Sequence, residues 1–256
     1  MITSFLRESV YGLLHVFGGF LPDRAPRIFM YHSVGGSSPL TVRKEEFDWQ
    51  MAYLAGRFRI VPLSRLFDMP WDEGKPLACV TFDDGFKDAC NHAVPVLTTY
   101  AIPATFFVTA GYMGGDHPTF YGQERCMSRD DVARLARAGH EIGGHTVTHP
   151  KLASLAPGAA ESEIADSKRL LEAVTETPVL SFAYPKGSYT EAVKALVADA
   201  GFKLAVTVRE GSCVADGDRF ALPRIPVDAT TGRMQFRGKC SRTLYVYGYL
   251  KRLVWV

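Results

Sequence analysis

Short apolar runs alternate with amphipathic stretches along the chain, and this strand-helix rhythm predicts an α/β protein, a parallel sheet or barrel covered by helices. Eight runs read as strands: 27–31, 58–61, 77–82, 104–109, 141–144, 179–183, 204–208 and 222–227. Eight strands suit a barrel better than a small open sheet. Two helices are marked by their ends. Ser128 with Asp131 three residues on reads as a capping box opening a helix through Leu135, which Gly139 stops. The stretch 190–199 places Ala192, Val193, Leu196 and Val197 at helical spacing and ends at Gly201. The stretch 111–125, rich in Gly and aromatic residues, reads as one long loop, and its expected role is a substrate-binding lip.

Composition adds little to that picture until it is divided along the chain. With 256 residues, 47% of them hydrophobic, the protein can close one sizeable core. Its five cysteines form no CxxC pair and read as buried thiols. The net charge is +2, yet the tail after Asp228 carries six basic and no acidic residues, which leaves 23 basic against 27 acidic in the rest. That tail also holds Phe236, Tyr245, Tyr247, Tyr249 and Trp255, a mixture suited to an anionic membrane surface or a phosphate-bearing partner. A final helix packed on the body, with snorkelling Lys and Arg stems, accounts for the same pattern more simply. The apolar run 11–21 is too short to span a bilayer, and Arg7, Glu8 and the lack of an A-x-A-like site make it a poor signal peptide. The expectation is a cytoplasmic or membrane-peripheral protein. No nucleic-acid-binding module is recognisable.

Two constellations carry chemistry. Thr81-Phe82-Asp83-Asp84-Gly85 sets adjacent carboxylates directly after an apolar strand, and a turn at Gly85 would gather both at the strand's C-terminal end, where barrel enzymes keep their active sites. Alone, such a sequence is more often a polar turn. His145-Thr146-Val147-Thr148-His149 places two imidazoles four apart; a helical turn there would align them to share an ion, within the limit set by Pro150. Two imidazoles and one carboxylate make the ligand set of a hydrolytic metal site, leaving the second carboxylate free as a base. His15, His92, His117 and His140 carry little signal of their own.

These motifs, with Tyr31-His32-Ser33, Pro103-Ala-Thr-Phe-Phe-Val108, Ala138-Gly-His-Glu-Ile-Gly143 and Phe182-Ala183-Tyr184-Pro185-Lys186-Gly187, resemble the polysaccharide deacetylase family, the NodB homology domain of carbohydrate esterase family four. The likeness runs from about residue 27 to residue 228. It implies a distorted (β/α) barrel of the seven-stranded type and hydrolysis of an N-acetyl group on a sugar. It further implies Asp83 as general base, Asp84, His145 and His149 as ligands of one divalent ion, and the main-chain N–H near Lys186 as oxyanion donor. Zn²⁺ is the expected ion, and a mixed N/O site also suits Co²⁺, Ni²⁺ or Mn²⁺. The chain then divides into an N-terminal apolar segment (1–24), a deacetylase barrel (25–228) and a basic aromatic extension (229–256).

The sequence departs from the family twice. Many members carry an arginine in the third motif where Ala183 stands here, and Arg224 is the candidate to orient Asp83 instead. Many have a late Leu-x-His motif supplying the general acid, but Leu222-Pro-Arg224 has no histidine; His32 is the substitute, as in the branch containing poly-N-acetylglucosamine deacetylases. Tyr184, Pro185 and Lys186 are expected to bind substrate, with the Tyr184 ring stacking on a sugar. The expected substrate is an N-acetylhexosamine unit of a glycan or lipid-linked precursor. The rivals are hydrolysis of another small amide, such as a formyl group, and a catalytically silent sugar-binding homologue.

Overall fold

All eight strand candidates form strands, and seven of them close into a ring. The computed structural model of the protein describes residues 25–36, 38–71, 73–119, 122–213 and 217–241. In chain order the strands are β1 (Arg27–Tyr31), β2 (Ser33–Val34), β3 (Thr41–Val42), β4 (Arg59–Ile60), β5 (Leu77–Phe82), β6 (Ala104–Val108), β7 (Asp116–Thr119), β8 (Gly122–Arg125), β9 (Glu141–Gly144), β10 (Ser181–Ala183), β11 (Leu204–Glu210) and β12 (Leu222–Pro226). The α-helices are α1 (Lys44–Arg57), α2 (Val94–Thr99), α3 (Arg129–Arg137), α4 (Pro157–Thr175), α5 (Glu191–Asp199) and α6 (Arg233–Lys239).

The parallel order β1-β5-β6-β9-β10-β11-β12 returns to β1, which pairs with β5 from Arg27↔Ala78 to Tyr31↔Phe82 and with β12 at Phe29↔Ile225. The result is a seven-stranded barrel with helices around it. The eighth candidate, β4, pairs with Leu77 and Ala78 of β5 before β6 takes over at Val80, so it is a stub beside the ring.

Every residue of β5 is buried, as the continuous apolar run Leu-Ala-Cys-Val-Thr-Phe requires of a strand covered on both faces. Strand alternation sorts those residues. Ala78, Val80 and Phe82 join a cluster with Phe47, Met51 and Leu54 of α1, on the helix side. Leu77 and Cys79 join Ile28, Phe107, Val206 and Leu222 in a second cluster, which fills the barrel interior. Asp83 keeps the interior parity of Cys79 and Thr81, with its N–H still donating to the Tyr31 carbonyl.

The capping box at Ser128 is formed: the Ser128 side chain accepts from the Asp131 N–H and the Asp131 carboxylate accepts from the Ser128 N–H. The five cysteines form no disulfide. The stretch expected to be a loop instead carries an antiparallel hairpin, β7 with β8, paired from Asp116↔Arg125 to Thr119↔Gly122. Asp-His-Pro-Thr and Gly-Gln-Glu-Arg lack the apolar alternation that announces a strand, and Pro and Gly argue against one. The hairpin is held through its base: Gly114 N–H donates to Met127, Cys126 N–H to Gly115, and Met127 N–H to Gly85.

The beginning of the basic extension belongs to the body. Phe236 of α6 is fully buried and stacks on Phe29 with centroids 5.5 Å apart. Arg233 bonds Glu46 at 3.0 and 3.2 Å and lies over the Trp49 ring, and Lys239 is buried with Glu210 at 3.3 Å. The membrane readings for 1–24 and for the tail beyond Ser241 lie outside the described residues. No helix among the described residues is long and apolar enough to cross a membrane.

Candidate active site

The chemistry-bearing residues converge at the C-terminal end of the barrel. His32 follows β1, Asp83 and Asp84 follow β5, His145 to His149 follow β9, and Lys186 follows β10. His32, the two aspartates, His145, His149 and Lys186 line one pocket of about 590 Å³ together with Leu40, His117, Pro118, Thr119 and Val208, a volume in the range of small-molecule sites.

The turn that separates the two carboxylates begins one residue earlier than the sequence suggests. Asp84 itself is left-handed, with φ 69°, followed by Gly85 at φ 75°. A Cβ on Gly85 would stand 3.2 Å from Val108 Cγ1, so glycine serves both the backbone angle and the close packing. Asp83 therefore points into the barrel while Asp84 folds back towards the histidines.

Asp83 is held by Arg224 from β12. Nη1 donates to Oδ1 and Nη2 to Oδ2, both at 2.6 Å, while Nε donates to the Thr207 carbonyl at 2.8 Å. Both side chains are buried. Burial alone would push the Asp83 carboxyl up, but the guanidinium outweighs it and holds the group below its ordinary value, hence ionised. Arg224 thus supplies from β12 the cation that the third motif, with Ala183, lacks.

Asp84 Oδ1 lies 3.3 Å from Nε2 of both His145 and His149. The two rings meet by a route other than the helical turn. Thr146 and His149 both have positive φ, 65° and 60°, and the Thr146 hydroxyl accepts from the His149 N–H at 2.9 Å. The strand exit is pinned from β6 by Ala110 and Gly111 N–H groups donating to the Thr146 and Val147 carbonyls. From α4, Glu163 accepts from the N–H groups of Val147 and Thr148, at 2.8 and 2.9 Å, and from the Thr148 hydroxyl at 2.6 Å. Nothing in the sequence singles out Glu163, which lies 14 residues beyond His149 in an ordinary amphipathic helix.

The His145 ring is oriented by Nδ1, which donates to the Ala183 carbonyl at 2.7 Å and leaves Nε2 facing Asp84. Burial would push Asp84 up, but the His145 bond and the surrounding imidazoles hold it well below the usual carboxylate range. His149 is pulled down to about 3 by burial and by repulsion from His145. A buried carboxylate ringed by imidazole nitrogens fits a divalent cation. Among the described residues, the donors lying mutually within 4.8 Å are those of Asp84, His117 and His149, so the structure adds His117 to the ligand candidates. The sequence offered no signal for it, because its isolated position shows no spacing to the others.

Two expected substrate contacts fall away. Tyr184 is fully buried, donates its hydroxyl to the Phe220 carbonyl at 2.9 Å and stacks on Tyr189, so no sugar reaches its ring. Pro185 is buried too, and neither residue lines the pocket. An aromatic in this motif completes the core. Lys186 does line it, from a left-handed turn at φ 57°.

A closed parallel barrel whose acidic and imidazole residues gather at the C-terminal strand ends has the architecture of a (β/α)-barrel enzyme. The polysaccharide deacetylase family model matches residues 72–205, and the chain belongs to that family. YxkH of Bacillus subtilis (strain 168), provisionally named a polysaccharide deacetylase, is 31% identical over 210 residues, covering 80% of this chain and 72% of that protein. A chitooligosaccharide deacetylase of Bradyrhizobium sp. (strain ANU 289) is 32% identical over 124 residues, 48% of this chain and 51% of its own length. Among solved structures, the deacetylase PplD of Streptococcus pyogenes, in complex with acetate, superposes with a TM-score of 0.72 at 25% identity, covering 82% of this chain and 96% of that one. IcaB from Ammonifex degensii gives 0.70 at 27% identity, with coverage of 84% and 97%.

Proposed function

We propose that the protein is a metal-dependent N-deacetylase acting on N-acetylhexosamine units of a glycan or lipid-linked glycan precursor. The observation that carries this reading is the pair of buried adjacent aspartates with separate partners: Asp83 on Arg224, Asp84 among the histidines. A site that only bound sugar would have no use for the second, ionised carboxylate, and Arg224 answers one of the two arguments for a silent homologue, the cation missing at Ala183.

In this reading Asp84, His145 and His149 hold one divalent ion, with Zn²⁺ the first choice. Once bound, such an ion polarises a carbonyl and acidifies water. Asp83 accepts the proton of the attacking water, and Arg224 keeps it ionised and aimed. The main-chain N–H at Lys186 is assigned to the developing oxyanion, a contribution of about 3 kcal/mol for one such donor. His32, which lines the same pocket, is assigned to protonate the departing amine.

Acetate release from N-acetylglucosamine oligomers and polymers, measured for wild type and Asp83→Asn, tests the reading. Release lost in the variant supports it; no release from any glycan, with a formylated amide turned over instead, would replace it by the small-amide activity.

A further inference from the structure

The hairpin that overhangs the pocket brings one imidazole to the site that neither constellation in the sequence announces. His117 is 2% exposed although Asp116 and Pro118 beside it are exposed. Its Nδ1 faces the Pro118 carbonyl at 3.1 Å, and a carbonyl only accepts, so Nδ1 carries the proton and Nε2 keeps its lone pair. That Nε2 is buried and has no hydrogen-bond partner, a costly arrangement for a polar atom without a ligand.

The surroundings fix the ring. It packs on Tyr112 at 4.7 Å, on Phe86 at 5.8 Å and against His149 at 4.8 Å, and the Tyr112 hydroxyl reaches the Thr148 carbonyl in the turn that carries His149. The base of the hairpin is bonded to the loop that carries Asp84, through Met127 N–H to Gly85 at 2.9 Å and the Phe86↔Cys126 bridge. His117 is therefore tied at both sides to candidate ligand loops. Its donor atom lies within 4.8 Å of those of Asp84 and His149. Ligands of one ion at about 2.0–2.2 Å stand roughly 3–4 Å apart, so a small closure brings His117, Asp84 and His149 into range, while His145 reaches the same ion through its 3.3 Å approach to Asp84.

We propose that His117 is a fourth protein ligand of the ion, joining Asp84, His145 and His149. This rests on the metal site of the proposed function. An ion with four protein donors that still admits water is at least five-coordinate. The hairpin that supplies the ligand also supplies Pro118 and Thr119 to the pocket wall, coupling the ion's coordination to the substrate lip.

The test uses the full chain, stripped of metal and titrated with Co²⁺. Proton NMR of the cobalt form should show three hyperfine-shifted exchangeable imidazole N–H signals, and His117→Ala should remove one. The same variant should weaken Co²⁺ binding tenfold or more, since even outer-shell partners are typically worth about 10–100-fold in affinity. Two shifted signals in the wild type, or unchanged affinity and visible spectrum in His117→Ala, would overturn the assignment while leaving the other ligands in place. A wild type that takes up no Co²⁺, or Asp84→Asn that binds it as tightly as wild type, would remove the metal site altogether and the assignment with it.

Discussion

Arg224 and Asp83 meet through two parallel 2.6 Å hydrogen bonds inside the barrel, with Arg224 wholly buried. The pair bridges β12 and β5, which are separated in the ring by β1. It sets the charge of the group assigned as base and it anchors the barrel interior.

Removing the guanidinium should therefore be felt twice. Arg224→Ala leaves a buried carboxylate without its partner, a loss of about 3–5 kcal/mol measurable by denaturant unfolding. The burial that the arginine now outweighs would then raise the Asp83 pKa, and the acidic limb of the pH–rate profile should move to higher pH. An unmoved limb would mean that Asp83 is not the group titrating in the reaction.

The same pair makes stability depend on pH with a defined sign. Asp83 has a folded-state pKa below its unfolded value of about 3.9. The pair's contribution is fully present above that value and is lost as pH falls through the lower folded pKa. Unfolding free energy followed from pH 6 downwards should fall more steeply in wild type than in Asp83→Asn.

Glu163 carries three hydrogen bonds to the turn between the histidines yet lines no part of the pocket. Glu163→Ala should loosen His149 and lower metal affinity by roughly 10–100-fold, as loss of outer-shell support does. Glu163→Gln, which keeps an acceptor oxygen, should recover part of it. Calorimetric titration with Zn²⁺ checks both, and equal affinity in all three proteins would show the turn to be self-supporting.

His32→Ala should lower kcat by about 10²–10⁴-fold if the residue donates the leaving-group proton. An amide surrogate whose leaving group needs no proton should be hydrolysed almost normally. Equal losses on both substrates would move His32 from proton donor to a role in positioning.

The barrel was legible because its strands are covered on both sides, so 77–82 and 204–208 read as apolar runs bounded by turns and helices. Arg224 was legible by need, since Ala183 stands where a cation was wanted. The hairpin was not, because Asp116–Thr119 and Gly122–Arg125 are polar strands held by their ends and not by an apolar face. His117 was hidden with them. The His145 to His149 turn is not the helical one that would align the rings, because the left-handed angles at Thr146 and His149 are set by Glu163 and the β6 exit, contacts that no local pattern records. Tyr184 reads as a sugar platform because a sequence cannot show that its ring stacks on Tyr189 and its hydroxyl is spent on the Phe220 carbonyl.

The most direct test of the account is acetate release from a glycan panel by chelator-stripped protein, before and after restoring Zn²⁺, run in parallel with Asp83→Asn. The account predicts no release without metal, recovery on restoration, and loss in Asp83→Asn of about 10²-fold or more with Zn²⁺ still bound. Full activity after stripping, or an Asp83→Asn protein as active as wild type, would contradict it.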